Sequence, residues 1–190
     1  MTTIDRLRLL GFTGTRPDTP EGVERLERLV GVPLPADYRD FLLSVGGGYI
    51  EALSPCGGPT PFGDAISVTV LHSAEEAADL LTSNVTPRNM ICVSFGHGGN
   101  TGCLSVAGLD RGQVFALDTD MRYFWGDETI AGWPHLAPCI KDFFRRRDAR
   151  ELPQRPWGYE NCYRMAGSFT EFLERLRSSN AGVHPDEPLA

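Results

Sequence analysis

VPLPADYRDFLLSVGGGYI, residues 32–50, is the stretch around which the chain is organised. Pro35 suits the first position of a helix, where its missing N–H is not needed. Leu34, Tyr38, Phe41, Leu42 and Val45 recur at i, i+4, i+7, i+8 and i+11, one apolar stripe on an α-helix. Gly46, Gly47 and Gly48 stop that helix, because glycine takes the left-handed C-cap conformation without steric cost. Tyr49 and Ile50 resume as extended chain. The stretch predicts a short helix that enters on a proline, leaves on glycines and feeds a sheet.

Upstream, Thr19 is an N-cap and Pro20 the first residue of another helix. Val23, Leu26, Leu29 and Val30 give its apolar side, Glu21 and Glu24 lie near its positive end, and Gly31 ends it. Residues 1–16 admit either a strand or a short helix, with Leu7, Leu9, Leu10 and Phe12 packing on the domain.

Downstream, Glu51 to Asp64 is rich in Gly and Pro and predicts a surface loop. Ile66, Val68 and Val70 alternate with Ser67 and Thr69, a strand with one buried face. Ser73 and Glu76 form a capping box, and the short helix behind it runs to about Asn84. Met90–Phe95 predicts a central strand, Gly96–Gly102 a tight turn and Cys103–Val106 a second strand. Gly108–Gly112 is a turn, Gln113–Leu117 a third strand and Arg122–Trp125 a fourth. Short strands joined by Gly-rich turns pair antiparallel. In Ala131–Gly158 only a helix around Ile140, Phe143 and Phe144 is legible, broken by Pro153 and Pro156. Near the end, Ser168 and Glu171 form a capping box, and Phe169, Phe172, Leu173 and Leu176 line one helix face.

The fold expected is α+β: an N-terminal helical pair, a central antiparallel β-sheet and a C-terminal helix packed on the sheet. Residues 1–177 make one domain and 178–190, polar with Gly, Pro and acidic residues, a mobile tail.

In this order the elements resemble SMI1/KNR4 domains of the SUKH superfamily. Three segments carry the resemblance, from Thr19 to Leu176. The first holds Gly31, Leu34, Pro35, Tyr38, Phe41, Leu42, Gly47 and Gly48. The second holds Phe95, Gly96, Gly98, Gly99, Leu104, Gly112, Val114 and Asp118, and the third is the Ser-Phe-x-x-Phe-Leu helix from Ser168. His97–Gly102 departs from the pattern, which has an acidic residue among the glycines. The resemblance implies a binding module and not an enzyme. Bacterial members are immunity proteins that neutralise a cognate polymorphic toxin, often a nuclease. Eukaryotic relatives imply the alternative, a regulatory or scaffold module for protein interactions without a toxin partner. Arginine is used almost to the exclusion of lysine, with Lys141 alone, which fits a GC-rich bacterial genome.

Composition narrows the partners. With 190 residues, 41% hydrophobic and 23% charged, the chain is an ordinary globule. Its net charge of −7 is uneven: residues 141–155 carry six basic and three acidic side chains, leaving −10 on the remainder. An acidic surface disfavours nucleic acid and anionic membrane and favours a basic protein; solubility alone is the other account of it. Five cysteines without a C-x-x-C pair predict buried thiols in a reducing cytoplasm. Residues 1–10 have no apolar signal region, and no run approaches membrane-spanning length, so a cytoplasmic protein is expected.

Specific chemistry finds little support. A phosphate loop needs a helix after the glycines of 96–102, and a strand follows. His97 and Cys103 lack an orienting third residue; otherwise they are a turn residue and a small core residue. His135 and Cys139 have helical ligand spacing, but Pro134 and Pro138 oppose a helix there. Arg145–Arg147 lack the interleaved aromatics of a single-strand groove. No catalytic residue, metal or cofactor is expected. The candidates left for partner binding are Glu51, Asp64, Asp118, Asp120, Tyr123, Trp125, Asp127 and Glu128, aromatic anchors ringed by carboxylates. For Tyr123 and Trp125 the alternative is a place in the core. The expected partner is a basic toxin, bound by occlusion, and the free protein is expected to be a monomer.

Overall fold

A computed structural model describes residues 3–60, 63–81, 90–108, 110–117 and 162–179. Helix α1 spans Thr3–Leu9 and strand β1 Thr13–Gly14, so the ambiguous N-terminal segment is both helix and strand. Helix α2, Pro20–Val30, forms for the reasons its sequence gives. Thr19 accepts a hydrogen bond from the Gly22 N–H, Pro20 opens the first turn, and Gly31 closes it at φ 81°. Helix α3 spans Ala36–Ser44, with Pro35 as the flanking cap and not the first helical residue.

Strand β2 runs Gly48–Thr60 and β3 Gly63–Leu71. The segment expected as a surface loop is therefore a long antiparallel hairpin, a correction to the sequence reading. Prolines are tolerated there for a topological reason. Pro55 pairs with Ala65 of β3, while on its other side β2 pairs with β8 (Arg177–Ser178) only at Ala52 and Leu53. The register slips between Pro55 and Thr60, which absorbs the irregular glycines and prolines.

Helix α4, Ala74–Leu80, starts on the complete Ser73–Glu76 capping box. Strand β4 is Met90–Phe95, followed by a 3-10 turn at His97–Gly99 and by β5, Thr101–Ser105. Strand β6 is Val114–Leu117, β7 Cys162–Ala166 and helix α5 Phe169–Arg175. Strands β1 to β7 form one antiparallel sheet in chain order, with β8 added to β2. The sheet curls, bringing β2 against β7. Ser178 and Ser179, expected to begin a tail, lie against β2: Ser178 pairs with Ala52 and the Ser179 hydroxyl donates to the Glu51 carbonyl at 3.4 Å. The strand expected at 122–125, the helix expected within 131–158 and the tail from 180 lie outside the described residues.

The main core lies between the helices and one face of the sheet. Phe169 is its hub, 4.8 Å from the Tyr38 ring edge-on and 5.1 Å from Phe41. A second cluster, Met90, Cys103, Phe115, Leu117 and Cys162, is also buried. Polar locks join distant segments. The Asp37 carboxylate accepts from the Thr170 N–H at 2.9 Å in the first turn of α5. Asp18 accepts from Ala74 N–H at 3.1 Å at the start of α4. The Arg111 guanidinium donates to the Pro33 and Leu34 carbonyls. The glycines after α3 mark a crossing of backbones. A β-carbon on Gly46, at φ +75°, would stand 1.9 Å from the Arg16 carbonyl oxygen, and one on Gly47 2.4 Å from the Ser73 nitrogen.

Candidate partner-binding surface

The alternation of β2 decides what faces water. Ile50 and Ala52 are buried in the core, so Tyr49 and Glu51 project the other way and are exposed. Tyr49 pairs with Val70, and Val70 pairs with Phe95. Residues directly opposite on antiparallel strands share a face. The row thus holds two exposed aromatics, Tyr49 at 65% and Phe95 at 44%.

At the end of this row a groove of about 560 Å³ opens at the edge of β2. Strand β1 pairs with Gly48 and Tyr49, and β8 with Ala52 and Leu53. Both lie on the side of β2 away from β3, and Ile50 and Glu51 fall between them. Leu9, at the end of α1, forms one wall and is 77% exposed. Tyr49 and Glu51 line the groove with it, and Thr69, His97 and Ser179 complete the rim. Among the described residues that line it, Glu51 carries the one formal charge.

A second depression, about 210 Å³, lies between α2 and α4 and is lined by Arg16, Asp18, Arg25 and Glu75 among others. Its Asp18 carboxylate is already engaged by the first N–H of α4. Burial pushes Asp18 above the ordinary carboxylate value, and the Ala74 N–H opposes that. His72, just before the Ser73 cap, is buried, with Nδ1 3.3 Å from the Cys92 carbonyl. That contact requires the neutral ring to carry its proton on Nδ1, and burial pushes the imidazole below its ordinary value.

The arrangement does not build a thiol nucleophile. Cys103 is wholly buried opposite Cys92 and Phe115, and burial pushes its thiol well above the ordinary value. His97 is exposed on the turn. Among the described residues, no group of His, Cys, Asp and Glu has the arrangement of a metal site, and no helix is long and apolar enough to cross a membrane.

Of the residues singled out from sequence, Glu51 lies in the groove. Asp64 falls within β3 on the hairpin. Asp118, Asp120, Tyr123, Trp125, Asp127 and Glu128 lie outside the described residues. Leu9, Tyr49 and Phe95 were not anticipated as surface residues. Their one sequence signal is position, at the end of a helix or strand and within two residues of a glycine.

The family model described as SMI1 / KNR4 family (SUKH-1) matches residues 17–146. The chain is also similar to the SPbeta prophage-derived uncharacterized protein YokK of Bacillus subtilis (strain 168). The two are 27% identical over a 127-residue alignment, with coverage of 56% of this chain and 65% of that protein. The chain therefore spans slightly less than two thirds of that relative's length.

Proposed function

The chain belongs to the SMI1/KNR4 family (SUKH-1), and from that premise we propose that it is an immunity protein, a non-enzymatic binder that neutralises a cognate toxin by covering its working surface. Family membership is the observation that carries this reading. Two features of the chain support it. Exposed aromatic residues stand in register on one face of the sheet, as anchors of a protein interface do. The residues outside 141–155 carry a balance of −10, which suits a partner whose own working surface is basic, such as a nuclease.

In this mechanism carboxylates pair with the toxin's substrate-binding cations while aromatic side chains fill its cleft. Long-range attraction speeds capture, and packing sets the lifetime of the complex. The free protein is a monomer in the cytoplasm and uses no cofactor. The buried, protonated Cys103 agrees with a role that needs no nucleophile.

The test is growth rescue. The C-terminal domain of the neighbouring gene's product is expressed in a test bacterium with and without this chain. Rescue and a stable co-purified complex are expected, with association slowing as salt is added. A toxic neighbour that is neither bound nor neutralised overturns the immunity assignment for that pair. A gene with no toxic neighbour moves the assignment to a regulatory or scaffold module.

A further inference from the structure

The groove at the edge of β2 is built for more than solubility. Leu9 and Tyr49 are two of the four large apolar side chains that stand exposed among the described residues. Both line the same opening, and Phe95 extends the apolar surface through the row it shares with Tyr49. The opening is held by strands on both sides, β1 and β8, so it is part of the fold and not a gap between loose segments. At about 560 Å³ it falls within the size range of pockets that enclose a ligand. Among its described lining residues there is a single charge, the Glu51 carboxylate, beside two apolar walls. A partner group that fits both features is apolar at its tip and cationic next to it. An acidic or phosphate-bearing group would meet Glu51 with like charge and leave the apolar walls uncovered.

We infer that this groove seats the anchor of a basic loop on the toxin: an aliphatic or aromatic side chain between Leu9 and Tyr49, with a neighbouring lysine or arginine on Glu51. The inference rests on the toxin-binding reading above and names the contact through which it operates.

The experiment uses the full chain and, as probe, the C-terminal domain of the neighbouring gene's product. Dissociation constants and association rates are measured for wild type, Tyr49→Ala, Leu9→Ser, Glu51→Arg and the control Leu29→Ala. Leu29 is also exposed, at 57%, but lies on α2 outside the groove. Tyr49→Ala and Leu9→Ser are expected to weaken binding about 30-fold each, the loss typical of an interface anchor. Glu51→Arg slows association about tenfold at low salt and less at high salt. Leu29→Ala stays within about twofold. All four sites are exposed, so melting temperatures stay within about 2 °C of wild type and separate binding from folding.

If wild type binds and the groove variants bind within twofold of it, the groove assignment is overturned and the immunity reading stands. If wild type does not bind, the immunity reading falls and takes this inference with it. A chain cut after Ser179 that binds tenfold tighter than the full chain would make residues 180–190 the occupant of the groove and overturn the assignment to the toxin.

Discussion

Gly46→Ala tests whether the glycines after α3 are a crossing of backbones or only a helix stop. Gly46 sits at φ +75°, and a β-carbon there would meet the Arg16 carbonyl oxygen at 1.9 Å and its carbon at 2.8 Å. Two costs follow. Holding an alanine in the left-handed region costs about 1–2 kcal/mol. Displacing a packed backbone to admit the methyl costs about another 1–3 kcal/mol. The total, about 2–5 kcal/mol, corresponds to a fall in melting temperature of about 4–20 °C for a chain of this size. Gly31 supplies the control. It has nearly the same backbone, φ +81°, but a β-carbon there meets nothing within 4 Å. Gly31→Ala therefore carries only the first cost, about 1–2 kcal/mol. Both changes restrict the unfolded chain equally, so that effect cancels in the comparison. Thermal denaturation of the two variants side by side measures the clash alone. Equal losses at Gly31 and Gly46 would refute the crossing.

Phe169→Ala empties the hub of the main core and should cost about 3–5 kcal/mol in urea unfolding. Asp37→Ala removes the acceptor for the Thr170 N–H and should cost about 1 kcal/mol, with faster amide exchange at Thr170 in α5. His72 is held below its ordinary value of 6.5, so the unfolded chain takes up a proton that the folded chain refuses. Stability therefore falls as pH drops below 6.5 and levels off below the folded value; His72→Gln should flatten that slope in pH-dependent unfolding. Asp18, raised above 3.8, acts in the opposite sense at lower pH and leaves this first loss intact. Burial pushes the Cys92 thiol up to about 12 and raises Cys103 well above its ordinary value, so a thiol reagent at pH 8 should modify neither until denaturant is added.

The helices were legible because their signals are local. Thr19, Pro20 and Gly31 bound α2, and Ser73 with Glu76 starts α4, each within a few residues of the hydrogen bonds it makes. The stripe of Tyr38, Phe41 and Leu42 is buried as its spacing requires. In α5 the reciprocal bond shifts by one: Ser168 accepts from Glu171 N–H, but the Glu171 carboxylate takes the Gly167 N–H. What escaped the sequence depends on partners far along the chain. The prolines and glycines of β2 look like loop residues until β3 is seen to pair with them. Strand β7 has no signal of its own, because nothing in Cys162–Ala166 names β6 as its neighbour. Val70 was expected to face inward with Ile66 and Val68, but it is only half-buried and pairs with Tyr49 beyond a slip in register. The candidate surface suffered the same limit. Periodicity separates two faces of a strand but does not say which face a helix covers, so Tyr49 and Phe95 carried no mark of exposure.

The hub formed by Phe169 has a consequence for how the protein is made. Translation delivers Tyr38 and Phe41 well before their partner Phe169, and the N–H that Asp37 receives belongs to the next residue, Thr170. Arg6 likewise waits for the Leu176 carbonyl, which its guanidinium meets at 2.9 Å. Among the described residues, seven strands and four helices precede Phe169, and a nascent chain that stops just short of it leaves the aromatic face of Tyr38 and Phe41 without that partner. Such a fragment offers proteases and chaperones the surface that the finished protein hides. Helix α5 thus closes the core last: until Phe169 arrives, the surface that the finished fold buries stays open.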